Sequence, residues 1–233
     1  CKKGKPVILG VIPARLNSTR FPNKILYPLN GKPVIEHVFD RSKKSSLLED
    51  VIVAVDSEKT LKNINCSNAI MTSGLHQAGT DRVAEVANKF DCSIIVNIQG
   101  DEPGIEPHLI DSLISLFDDP NVEMASVAST DLKDEDLANR NVVKVNLNED
   151  NYALSFVREN LKANQQYFRH VGIYAYRKKT LDLFTSLKQS SNEKKYSLEQ
   201  LRALNNNIAI KLLICDFKHR SIDTKEDLKN YEN

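Results

Sequence analysis

The sequence predicts an α/β fold: a mostly parallel central sheet flanked by helices, with a small antiparallel excursion in the back half. Three observations predict it. Apolar runs of strand length with little polar alternation recur, as in "VIVAVD" and "SIIVNIQ", the pattern of strands buried on both faces. Amphipathic stretches with apolar residues at helical spacing separate those runs. Between about residues 142 and 176 the strand-like runs lie closer together, as antiparallel neighbours do.

Residues 7–12 form the first apolar strand. Residues 33–45 read as a helix, because Pro33 suits a first helical position and Val34, Ile35, Val38 and Phe39 share a face. Residues 51–56 form a buried strand, with Ser57 as the cap of the helix after it. Residues 80–90 are helical, with Val83, Val86, Ala87 and Phe90 on one side; 93–99 is the next strand and 107–117 the next helix. Further strands are expected at 124–129, 142–147, 170–176 and 208–217, helices at 178–187 and 196–204, and a closing helix at 223–231. With no repeat, low-complexity segment or Pro/Gly/Ser-rich linker, one domain over residues 1–233 is expected. In such sheets the ligand crevice lies outside the carboxyl ends of the strands, which directs attention to the residues following 7–12 and 93–99.

Composition narrows the function. Lys plus Arg is 32 against 31 Asp plus Glu, a net charge of +1. A general nucleic-acid binder normally carries a basic excess, so any anion site here is local. The four cysteines lie far apart with no CxxC pair, so neither a zinc ribbon nor a disulfide framework is signalled. Reduced thiols in a cytoplasmic protein are the plain reading. As given, the chain shows no signal peptide, and its apolar runs are too short to span a bilayer.

Four stretches carry chemistry. "VIPARLNSTRFPNKIL" leaves the first strand and places Arg15, Arg20 and Lys24 within ten residues around Ser18 and Thr19. Fork-shaped guanidinium groups and a point-charge ammonium suit a polyphosphate; a solvated loop paired with surface carboxylates is the alternative. The loop matches neither GxxxxGK[ST] nor GxGxxG. In "VNIQGDEP" a buried strand ends in Gln99, Gly100 and two carboxylates. Gly100 permits close backbone approach, and Asp101 offers hard oxygens for Mg²⁺. The alternative is capping of the 107–117 helix, which fits Glu102 and Glu106 better than Asp101. In "RSIDTKEDLKN" Asp223 reads by itself as a helix cap, and with Asp101 as the second carboxylate of a Mg²⁺ site. Finally, "FRHVGIYAYR" and "SLEQLR" make an unusually polar strand and a following helix, a lining suited to a sugar acid.

Taken together, the segments "PARLNSTRFPNK", "NGKPVIEHV", "HQAGTDRVAEV", "NIQGDEP", "NVVKV", "RHVGIYAYR", "LEQLR" and "IDTKEDL" resemble, nearly end to end, the 3-deoxy-manno-octulosonate (Kdo) cytidylyltransferase family of lipopolysaccharide biosynthesis. The resemblance implies a Rossmann-like nucleotidyltransferase fold and Mg²⁺-dependent attack of the sugar acid's anomeric hydroxyl on the α-phosphorus of CTP, with pyrophosphate leaving. It implies catalytic roles for Arg15, Lys24, Asp101 and Asp223, with Arg15, Arg20 and Lys24 on the triphosphate. Ala14, Thr72, His76, Gly79, Thr80, Gln99 and Asp101 complete the implied nucleotide site. Asp101 and Asp223 would hold Mg²⁺, and Gln99, Arg158, His170, Tyr174, Glu199 and Gln200 would line the sugar-acid pocket. It also implies a homodimer, with residues around 142–176 shaping both pocket and dimer contact.

Several departures bear on these expectations. The family's "PGK" is Pro22-Asn23-Lys24, where Asn tolerates left-handed geometry better than other non-glycine residues. A serine of the family's "HQSGT" is Ala78, and Ser73 stands where an arginine usually precedes that motif. The segment between Arg158 and Arg169 is reduced to "ENLKANQQYF". That shortening leaves open another sugar acid, such as the 8-amino analogue or a nonulosonate. A non-catalytic nucleotide-binding paralogue is the alternative of a different class.

Overall fold

The computed structural model describes residues 7–16, 21–76, 78–159, 161, 165–222 and 224–232. Contacts divide the chain into two compact units, residues 1–111 with 220–233 and residues 112–219.

The first unit opens with β1 (Ile8–Ala14) and a 3₁₀ turn at Lys24–Leu26, followed by the two-residue strands β2 (Pro28–Leu29) and β3 (Lys32–Pro33). Asn30 and Gly31 join those strands with φ of 50° and 78°, the left-handed pair that a two-residue hairpin loop demands. Then come α1 (Val34–Ser42), β4 (Asp50–Val55), α2 (Glu58–Lys62), β5 (Ala69–Met71), α3 (Gly79–Ala87), β6 (Ile94–Asn97) and α4 (Pro107–Ser115). The strands pair in the order β6-β1-β4-β5, all parallel. Val11, Ile12, Val53, Ala54, Val55, Ile95 and Val96 are fully buried, each large apolar side chain contributing about 1.5–3 kcal/mol relative to exposure. α1 buries Val34, Ile35, Val38 and Phe39, and the Ser57 side chain accepts from Thr60 N–H at 3.1 Å to cap α2, both as the spacing predicts. The chain winds outward from β1 through β4 to β5, then returns to pair β6 on the other side of β1. The strand order therefore reverses at β1, and the carboxyl ends of β1 and β6 flank the switch point where α/β sheets bind ligands.

The second unit contains β7 (Met124–Ser129), α5 (Asp134–Ala138), β8 (Lys144–Leu147), β9 (Ala153–Val157), β10 (Phe168–Arg177), α6 (Lys178–Ser186), α7 (Ser191–Tyr196), α8 (Gln200–Asn205) and β11 (Ile210–Cys215). β11 runs parallel to β7, whereas β7–β10, β10–β8 and β8–β9 are antiparallel. The predicted antiparallel excursion is thus present. The single helix expected at 196–204 is two. A capping box between Ser190 and Glu193 starts α7, and Ser197 ends it in the left-handed region at φ 52°. The apolar spacing ran across that break.

The chain then returns to the first unit and ends in α9 (Lys225–Glu232). Ile222 N–H donates to Asp101 O at 2.9 Å, and Phe21, Leu29, Val34, Ile222 and Leu228 form one buried cluster against which Tyr231 packs. Among the described residues no helix is long and apolar enough to cross a membrane.

Candidate functional site

Within the first unit, Ala14, Gly79, Thr80 and Gln99 lie where β1, β6 and the amino end of α3 meet. Ala14 is fully buried at the end of β1, and Arg15, the next residue, is exposed. The turn after β6 approaches β1 so closely that a Cβ on Gly100 would lie 2.8 Å from Ile35 Cδ1 and 3.2 Å from Pro13 O. Glycine is required there, as the sequence suggests. Gly79, the first residue of α3, sits against Pro13, which a Cβ would meet at 3.5 Å. Thr80 is buried behind it and accepts a 3.4 Å hydrogen bond from Asn97 Nδ2.

The chemistry centres on Lys24 and Asp101, whose Nζ and Oδ2 form an ion pair with side chains 14% and 20% exposed. Asn23, immediately before Lys24, adopts φ 58° and ψ 20°. Its N–H donates to Leu16 O at 3.2 Å, so asparagine holds the left-handed turn where the family has glycine. The basic loop therefore folds back to bring its lysine onto the Asp101 carboxylate. Gln99 is half-buried just before it.

Two residues that the sequence reading passed over anchor this loop. Asp56, just beyond β4, accepts from Leu16 N–H at 3.2 Å and lies 3.8 Å from Arg82 Nη2. Arg82 is almost completely buried in α3 and donates from Nη1 to Thr72 Oγ1 and, at 3.2 Å, to Ser73 O. Burial pushes its pKa down, the Asp56 carboxylate opposes this, and the charge of Arg15 adds to the lowering. Thr72 in turn donates to Val55 O at 2.8 Å. Thr72 and Arg82 thus tie the end of β4 to α3. His76 Nε2 bonds Glu85 Oε2 at 2.6 Å, and Glu85 also accepts from Ser73 N–H at 2.9 Å, which together hold its pKa below the ordinary carboxylate value despite some burial. The end of "HQAGTDR" readable in the sequence was its glycine and threonine; the arginine does the structural work.

The carboxylates near α4 and α9 sort differently from the expected capping. Glu102 is buried and accepts from Arg220 N–H at 3.1 Å, so it receives the returning C-terminal segment and does not cap α4. At α9 the cap is Thr224: its Oγ1 accepts from Asp227 N–H at 3.2 Å, and Asp227 Oδ2 accepts from Thr224 N–H at 2.7 Å. Arg20 and Asp223 themselves lie outside the described residues. Among the described residues no cluster of three or more His, Cys, Asp or Glu side chains forms a metal site. The Asp101 carboxylate is the hard oxygen donor that Mg²⁺ takes from a protein that supplies one or two carboxylates.

Within the second unit, His170 and Tyr174 stand on β10, on either side of a bulge between Val171 and Tyr174. Ser126 Oγ lies 2.9 Å from His170 Nε2 and 2.8 Å from Ile173 O. A hydroxyl has one proton and the carbonyl can only accept, so Ser126 donates to Ile173 and accepts from His170 Nε2–H. Burial, reinforced by His219 and Arg158, pushes His170 down to about 3. It is a neutral imidazole with Nδ1 as its acceptor. Burial, then Glu199, pushes Tyr174 above the usual phenol pKa. Arg158 donates to the carbonyl oxygens of Tyr196 (3.1 Å), Arg140 (3.0 Å) and Ser197 (3.3 Å), which fixes the α7–α8 turn. Glu199 and the buried Gln200 follow that turn. Arg202 locks α8 to α7 through a buried bidentate pair with Glu193, at 3.0 and 2.5 Å. The other polar residues of β10 are structural. Arg169 donates to Asp131 O at 2.8 Å and pairs with Asp136 at 2.6 Å, Arg177 donates to Val122 O at 2.8 Å, and Tyr176 is core.

The cytidylyltransferase family matches residues 9–212, which places this α/β chain among the nucleotidyltransferases. The chain is 40% identical over 244 residues, covering 96% of both chains, to the 3-deoxy-manno-octulosonate cytidylyltransferase of Thermodesulfovibrio yellowstonii. It is 42% identical over 230 residues to that of Chloroherpeton thalassium, covering 94% of this chain and 93% of the relative. A solved CMP:2-keto-3-deoxy-manno-octonic acid synthetase complexed with CTP superposes with a TM-score of 0.90 at 34% identity, over 97% of each chain. The chain belongs to the 3-deoxy-manno-octulosonate cytidylyltransferase family.

Proposed function

We propose that the protein transfers CMP from CTP to the anomeric hydroxyl of Kdo, giving CMP-Kdo and pyrophosphate and activating Kdo for lipopolysaccharide assembly. The observation that carries this is the Lys24–Asp101 pair at the carboxyl-end switch point, in a chain that resembles named Kdo cytidylyltransferases along nearly its whole length. Lys24, with Arg15 and Arg20, takes the triphosphate and neutralises the charge that builds on the leaving pyrophosphate. Asp101 and Asp223 would hold Mg²⁺, which takes one or two carboxylates from a protein. Bound there, the ion would supply further charge neutralisation and make a hydroxyl more acidic, so no dedicated protein base is needed. Ala14, Thr72, His76, Gly79, Thr80 and Gln99 shape the nucleotide site of the first unit. Arg158, His170, Tyr174, Glu199 and Gln200 serve the sugar acid from the second, with the neutral His170 suited to a sugar hydroxyl. A cytoplasmic homodimer completes the reading.

Pyrophosphate release with CTP and Mg²⁺ across Kdo, its 8-amino analogue and a sialic acid tests it, with Asp101→Asn as control. Release with Kdo that disappears in the variant is the expected result. Release only with another sugar acid replaces the substrate, as the shortened segment before Arg169 would then dictate. Silence with CTP still bound overturns the enzymatic reading.

A further inference from the structure

The "NVVKV" segment contains a group for which the proposed chemistry has no use. Lys144, the first residue of β8, is fully buried, flanked by Val157 on β9 and Arg169 on β10. Its ammonium donates all three protons to main-chain carbonyls: Asp136 O at 3.3 Å, Asn139 O at 3.0 Å and Arg158 O at 2.5 Å. Two of these belong to the carboxyl end of α5 (Asp136 within it, Asn139 as its cap), the end of a helix that favours a cation. The third is the carbonyl of the arginine that grips Tyr196 and Ser197 through its guanidinium. The anchorage is therefore continuous: Lys144 holds the Arg158 backbone, and Arg158 holds the turn from which Glu199 and Gln200 project. A buried ammonium is costly unless every donor is satisfied, and here satisfaction depends on both α5 and residue 158 keeping their places.

We propose that Lys144 is a positioning residue that sets sugar-acid recognition by fixing Arg158 and, through it, the Glu199–Gln200 turn, without touching substrate. This rests on the functional reading above. Burial, then the charges of Arg158 and Arg169, lowers its pKa, while Asp136 and Glu159 oppose them; its role here is that of a donor to three carbonyls.

The test compares Lys144→Met, of similar length without donors, with Lys144→Gln, which keeps two. CTP affinity is read by calorimetry with Mg²⁺, and KM for the sugar acid is read at saturating CTP. The expected result is a tenfold or larger rise in KM for the sugar acid with Lys144→Met and CTP affinity within twofold of wild type. Lys144→Gln should recover part of the loss. Adding Lys144→Met to Arg158→Ala should then cost little more than Arg158→Ala alone, because both act on one turn. A sugar-acid KM within twofold of wild type overturns the proposal. Equal losses toward CTP and sugar acid, or loss of CTP binding in both variants, overturns it too, by making Lys144 a general folding residue. Failure of the functional reading shows separately, as a wild-type protein that turns over no sugar acid.

Discussion

Lys24 and Asp101 are assigned to opposite charges, phosphate and Mg²⁺, yet in the free protein they bind each other. On those assignments Lys24 would compete with the metal for Asp101, and Asp101 with phosphate for Lys24. The pair is neither surface nor interior, with side chains 14% and 20% exposed. Contact charges gain about 4 kcal/mol at an effective dielectric of about 20, whereas fully exposed pairs net at most about 1 kcal/mol after desolvation and ordering. A net coupling of about 1–2 kcal/mol lies between these limits, a factor of roughly 5–30 in an equilibrium constant. Replacing Lys24 by Met should thus raise the affinity for Mn²⁺ alone, used as a paramagnetic stand-in for Mg²⁺, by roughly 5–30-fold. The same change should weaken metal-free CTP binding and nearly abolish turnover. Mn²⁺ binding is read by electron paramagnetic resonance or water-proton relaxation without nucleotide, with Asp101→Asn as the variant that binds no ion there. Unchanged or weaker Mn²⁺ binding in Lys24→Met would refute both the competition and the assignment of Asp101 to the metal.

Other expectations follow from close contacts and from burial. A Cβ on Gly104 would lie 2.1 Å from the Tyr231 hydroxyl, so Gly104→Ala should displace α9 and lose about 1–3 kcal/mol in urea melts; Tyr231→Phe, which removes that oxygen, should restore most of it. Asn23→Gly should leave stability within about 1 kcal/mol of wild type, because both residues accept φ of 58°, whereas Asn23→Ala should lose about 1 kcal/mol; equal melts for all three would refute the strain. His170 is held at about 3 against an ordinary 6.5, so the unfolded chain protonates first as pH falls. Its contribution to stability is complete above pH 6.5, declines from there towards about 3, and amounts to a loss of about 2 kcal/mol at pH 5. Its C2–H proton resonance should not titrate between pH 8 and 5, and a midpoint near 6.5 would refute the neutral assignment.

The strands of the first unit were legible because β1, β4 and β6 are buried on both faces, so their sequences are unbroken apolar runs with turn chemistry at each end. The site was legible for the same reason, since polar residues directly after such a run stand at a carboxyl end. Short or half-exposed elements were not. β5 is the three residues "AIM", and β9 alternates imperfectly, with Leu154 58% exposed, so neither carries a period long enough to read. The α7–α8 break hid behind apolar residues spaced across it. Asp56 and Arg82 were missed for a different reason. Each is an ordinary charged residue locally, and its role arises only when folding brings Leu16 N–H, 40 positions away, onto Asp56. Thr224 and Asp223 show the limit of capping rules, because both residues can cap and adjacent sequence cannot decide between them.

Charge is used in two ways, and this bears on recognition. In the first, Lys24 faces an acidic side chain, an arrangement that a charged ligand can exchange. In the second, Lys144, Arg158 and Arg177 direct donors to backbone carbonyls, and Arg169 divides its own between a carbonyl and Asp136. Main-chain carbonyls held in a fold are not released by a ligand at small cost, because each buried acceptor left unpaired costs about 1–3 kcal/mol. Lys144, Arg169 and Arg177 therefore act as scaffold. Alongside them, His170 and Tyr174 are both kept uncharged by burial. On the proposed assignment, the part that His170 and Tyr174 play in discriminating sugar acids would rest on the placement of neutral donors and acceptors against hydroxyl groups. A small shift of the turn carrying Glu199 and Gln200 would matter more to it than the loss of any one surface charge.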